Sequence, residues 1–277
     1  MQVLAHAATA ESRIFNEIGA LLLRQRIEPV GRQLQELQGQ LERIYNAPNK
    51  RNIDLATCQM GLAMTSLGLG EHAEALRLAI NACTIAPYEV HVVMNGLALF
   101  INMGEFELAR KAAGEASRRF QGDLEPILAA SLVLAESLDF EAAAECMGQA
   151  LKLLPSEPML SALNQRMRFL QDMATESAAL RLGPKDWMDR AQCAVTVLRE
   201  AGHKLYWTEL SGQRLGAVSL QFFVDASPEV CSTLNFTIAD ILSHAFDETG
   251  VDLLTMVARS YEGVQAVGSA NVVALAS

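Results

Sequence analysis

Gly70-Glu71-His72-Ala73-Glu74-Ala75, Gly104-Glu105-Phe106-Glu107-Leu108-Ala109 and Leu138-Asp139-Phe140-Glu141-Ala142-Ala143 share one pattern, and each begins 34 residues after the one before. Seven residues beyond the closing alanines stand Ala82, Ala116 and Ala150. Five further on stand Pro87, Gln121 and Pro155. A fixed period of this length marks stacked units. In the unit 56–89, Met60, Met64 and Leu67 recur at helical spacing, with Leu62 on the flank. Gly70 interrupts, Ala75, Leu78, Ala79 and Ala82 resume on one face, and Pro87 stops them. Each unit therefore reads as two antiparallel helices and a short turn, repeated over 90–123 and 124–157. Recurrent small residues set a constant close approach between the helices. Asp123 is expected to cap the third pair, with Pro126 in its first turn.

On these residues the segment 56–157 resembles the tetratricopeptide repeat family. Ala75, Ala109, Ala143, Ala82, Ala116, Ala150, Pro87 and Pro155 match its pattern. Leu62-Ala63 stands at its Leu-Gly and Phe100 at its first aromatic position. Gln59, Val93 and Ile127 replace its opening tryptophan, Gln121 one proline and Leu138 one turn glycine. The resemblance implies a solenoid whose first helices line a concave groove. By position these supply Met60, Met64, Leu67, Met94, Ala98, Ile101, Leu128 and Leu132, with Ala135 beyond and Thr57, His91 and Glu125 on the rim. Basic side chains that clamp a peptide carboxylate in some members are missing there. An apolar, Met-bearing groove suits an amphipathic partner helix.

Working outward, Ile14, Ile18 and Leu21, then Val30, Leu34, Leu37, Leu41 and Ile44, give two helices at about 9–27 and 30–46, joined near Pro29. They read either as a cap on the first repeat or as a dimerisation hairpin. Downstream, Ser156 is expected to cap a long helix to about Leu180 that closes the solenoid, and 181–186 reads as a linker. A helix then ends at Gly202. Strands follow over 204–210 and 217–226, a helix opens at Ser227-Pro228 and runs to about Asp247, and a third strand lies in 251–263. The expected fold class is thus multidomain, α and α+β: a tetratricopeptide-like α-solenoid of antiparallel helix pairs, then a small helix–strand–strand–helix–strand domain. The domains are 1–52, 53–180, 185–262 and a loose tail at 263–277.

Hydrophobic residues make up 51% of the 277, which is enough for a core, and the formal net charge of −10 disfavours nucleic acid and anionic membrane as partners. Residues 1–52 are the exception, with more base than acid. Five scattered cysteines without a C-x-x-C read as buried thiols in a reducing cytoplasm. No run spans a bilayer, and the first residues lack the plan of a secretion signal. Asp240 and His244 share a helix face but have no convincing third metal ligand. Trp207, Phe222 and Phe223 near Lys204 and Arg214 could stack on bases, but the excess of acid in this region favours a core role. No nucleotide or hydrolase motif is present, and no cofactor or metal is expected. Two function classes follow. One is a non-enzymatic adaptor or chaperone-like protein holding a partner helix, with self-association through the N-terminal helices or the C-terminal domain. The other is an enzyme or accessory subunit with its site in 185–262.

Overall fold

Why the six-residue pattern recurs is visible in how the helices end. The computed structural model describes residues 10–25, 30–48, 54–153, 156–212, 218–247 and 250–261. The joint at Pro29, the stop at Pro155, the turn residue Arg214 and the tail 263–277 lie outside them. Among the described residues are eleven helices and three strands. The chain divides into two compact units, one up to Leu99 and one from Phe100.

The first unit holds α1 (Ala10–Gln25), α2 (Gly31–Tyr45), α3 (Leu55–Gly68), α4 (His72–Ile85) and most of α5 (Val90–Asn102). Asp54 caps α3, its carboxylate accepting from Thr57 N at 3.0 Å. At the far end Gly70 takes φ +76°. Gly70 N donates to Leu67 O and Glu71 N to Ser66 O, closing the last turn. Glu71 then starts α4, and Ala75, Ala79 and Ala82, all fully buried, form its inner face. The glycine of the pattern thus ends one helix, the acidic residue begins the next, and the alanine sits at the contact of the pair.

α3 is enclosed: every residue from Ala56 to Gly68 is buried, because α1, α2 and α4 all pack on it. Gly61 is needed for that approach, since a Cβ there would lie 2.6 Å from Leu41 Cδ1 and 3.5 Å from Phe15 Cδ2. The apolar stripes of α1 (Phe15, Ile18, Leu21) and α2 (Leu34, Leu37, Leu41) are buried.

The second unit holds α6 (Phe106–Arg119), α7 (Leu124–Glu136), α8 (Phe140–Lys152), α9 (Glu157–Ala179), α10 (Pro184–Glu200), β1 (Leu205–Gly212), β2 (Val218–Val224), α11 (Pro228–Ala245) and β3 (Leu254–Ser260). Consecutive helices α6 to α9 pack pairwise, and Ala109, Ala113, Ala116, Ala143 and Ala150 are buried. Asp123 and Ser156 occupy N-cap positions, but neither side chain makes the capping bond expected of it. Ser227 does make it, accepting from Val230 N. Asp139 caps α8 through Ala142 N.

The order α10–β1–β2–α11–β3 is the expected one. β1 and β2 are antiparallel, while β2 and β3 are parallel across α11, giving sheet order β1-β2-β3. Residues 181–186, expected as a linker, form a tight joint. Arg181 closes α9, Leu182 is buried, and Gly183 N donates to Asp186 Oδ2 at 2.8 Å at the start of α10. Nor do the sheet and α10 stand apart from the repeats. Arg199 donates to Met103 O (2.6 Å) and Glu105 Oε1 (2.9 Å), Thr208 bonds Ile101 O and Asn102 Oδ1, and Phe106 meets Phe222 edge-on. These contacts, all within the second unit, fasten the sheet to the turn between α5 and α6.

Candidate partner-binding surface

The eight groove residues fall into both units. In the first, Met60, Met64 and Leu67 are 0%, 6% and 4% exposed. What covers this face includes α1: Gly19 sits over Met64, where a Cβ would lie 3.9 Å from the methionine methyl. On α5, Met94 is half-buried and Ala98 is exposed. With His91 and Asn95 they make a strip at helical spacing without a carboxylate, lysine or arginine. In the second unit, Ile101 and Leu128 are buried and Leu132 is half-buried. Here the chain's own β1 comes against α7, and its Thr208 hydroxyl reaches Ile101 O at 3.2 Å. Five of the eight are therefore sealed, and the expected apolar wall is largely not bare.

At the N-terminal end of α3 the structure assembles a polar cluster of Glu11, Asp54, Thr57 and His91. Thr57 and His91, 34 residues apart, occupy equivalent positions in successive units, and Thr57 Oγ1 lies 2.9 Å from His91 Nε2. The same hydroxyl donates to Asp54 Oδ2 at 2.6 Å. Its proton is thereby committed to the carboxylate, so the imidazole Nε2 must carry the hydrogen between them. A histidine acting as base would have to accept from that hydroxyl, so this is a tie rather than a nucleophile–base pair. Asp54 N donates to Glu11 Oε1 at 3.2 Å, and the Phe15 ring meets the His91 ring edge-on at 5.9 Å. α1 is thus held by one carboxylate and one ring to α3 and α5 together. The repeat spacing placed Thr57 and His91 on one rim; the part of Glu11 carried no signal of its own. Burial, then the carboxylates of Glu11 and Asp54, push the Cys58 thiol up to about 11.

Elsewhere, Asp240 and His244 are exposed, and the imidazole Nδ1 lies 2.8 Å from the helix carbonyl of Asp240. No group of three or more metal-ligating side chains occurs among the described residues. Trp207 and Phe223 stack on each other at 4.5 Å, and both are buried with Phe222. They are core residues and not a platform for bases. A cleft of about 440 Å³ in the second unit has an apolar floor of Leu138, Phe140, Leu182 and Trp187, with Glu141 and Arg181 also in its lining. No described helix is long and apolar enough to cross a membrane. Compared with models of known protein families, with curated proteins and with solved structures, the chain finds no match.

Proposed function

We propose that this protein is a non-enzymatic adaptor or chaperone-like protein of tetratricopeptide-repeat type, working in a reducing cytoplasm, which holds an amphipathic helix of another protein against the first helices of its repeats. One observation carries the reading: an amphipathic helix, α1, already lies on that surface in the first unit. Its Phe15, Ile18 and Leu21 are buried, so the wall accepts helical side chains at this spacing. The uncharged strip Met94–Ala98 on α5 is the part left open. Five free thiols fit the compartment.

The test is Met94→Glu. Tagged wild-type and variant chains of equal melting temperature are used to capture partners from the native host, and the captured proteins are compared by mass spectrometry. The expected outcome is loss of a specific partner from the variant, because a carboxylate in the half-buried strip would be desolvated without a counter-ion only in the complex. Identical capture by both chains overturns the reading.

A further inference from the structure

We propose that the α3–α5 surface is a site of helix exchange. α1 is its resident occupant, and the partner it admits is an amphipathic helix of α1's own plan. That plan has an acidic residue in the first turn, an aromatic four positions on, and aliphatic side chains three and six positions beyond the aromatic. The inference deepens the adaptor reading and rests on it for the purpose of the surface.

The contacts define the plan. Glu11, 5% exposed, accepts the N–H of Asp54 just ahead of α3. Four residues on, Phe15 puts its ring against His91 and near the bare backbone of Gly61. Ile18 reaches the same backbone, where a Cβ would lie 3.6 Å from its Cδ1. Gly19 lies over the Met64 methyl. Each of these features could be supplied by any helix with the same sequence of side-chain types.

The way α1 is held also suits exchange. As a helix it satisfies its backbone internally, so leaving the surface breaks no ladder of main-chain bonds. The receiving side is built on adaptable groups: Met64 is an unbranched thioether, and the Thr57–His91 pair, closed by its own hydrogen bond, remains satisfied whether or not a ring lies beside it. A helix arriving from another protein would therefore find a finished surface, provided α1 is unseated.

A fluorescent peptide of residues 10–25 tests this on the full chain. The wild-type chain should bind it weakly, because its own α1 competes at high local concentration. Ile18→Asp in the full chain should unseat α1 and tighten peptide binding at least tenfold, and Phe15→Ala in the peptide should remove that gain. A folded Ile18→Asp chain, judged by circular dichroism and a cooperative melt, that binds no better than wild type overturns the proposal. Should Ile18→Asp not fold, Glu11→Ala decides the question by the same comparison. Peptide gain combined with unchanged partner capture by Met94→Glu would uphold exchange while ending the adaptor reading. Lost capture without peptide gain would do the reverse.

Discussion

Five helix ends adopt the same left-handed residue just past the last turn, at Gly70, Gly104, Leu138, Arg181 and Gly202, with φ between 60° and 82°. A side chain costs about 1–2 kcal/mol in that conformation. The two exceptions to glycine should respond oppositely to its introduction. Arg181 is exposed, so Arg181→Gly should raise stability by about 0.5–1 kcal/mol, less than the full strain because glycine also loosens the unfolded chain. Leu138 is 1% exposed. Leu138→Gly relieves the same strain but empties a buried site, which costs about 2–5 kcal/mol, so the net effect should be a lower melting temperature. Denaturant melts of both variants check the sign. A second residue-scale prediction concerns Asn235, whose amide donates to Ala258 O at 3.2 Å and accepts from Ala258 N at 2.6 Å. Asn235→Ala should cost about 1–3 kcal/mol, and native-state exchange should show the Ala258 amide losing protection.

The paired helices meet through buried alanines. Ala109 is fully buried on α6, and Ala109→Leu should overpack the contact and lower stability by about 1–3 kcal/mol. An unchanged melt would refute the register. At this scale the sequence was most legible. Period, alanine and glycine carry local requirements of helix termination and close approach, and these are written in single residues. The strand pattern of 218–224 and the Ser227-Pro228 start are local in the same sense. The caps at Asp123 and Ser156 were not realised, since a capping residue type permits the bond without compelling it. What a helix faces is not local. Met60 and Met64 have the spacing of a groove wall, but the same spacing serves a covered core. Only the arrival of α1 and α2, which Gly61 permits, decides between them.

For the whole molecule, residues 181–186, read as a linker, include the buried Leu182 and the Gly183–Asp186 bond that opens α10. Leucine, glycine and proline at that point form a sharp corner, and the bonds from Arg199 and Thr208 to residues 101–105 join segments about a hundred positions apart. No sequence pattern announces such bonds. The consequence is testable: residues 185–277 expressed alone should lack a cooperative thermal transition, because Leu182, which closes over Gly250, and Phe106, which packs on Phe222, lie outside the fragment. A sharp melt for that fragment would show that the sheet stands by itself.

The two asparagines at the margins of the sheet have a further meaning. Asn102 satisfies the outward N–H of Thr208 on β1, and Asn235 satisfies both outward groups of Ala258 on β3. A side-chain amide carries both donor and acceptor on a single residue, so each can meet an edge strand's outward groups without bringing a strand of its own. At these two positions the edges of the sheet are closed by side-chain chemistry. A single atom exchange, Asn235→Asp, would set a carboxylate against the Ala258 carbonyl and leave that acceptor open at the margin of β3.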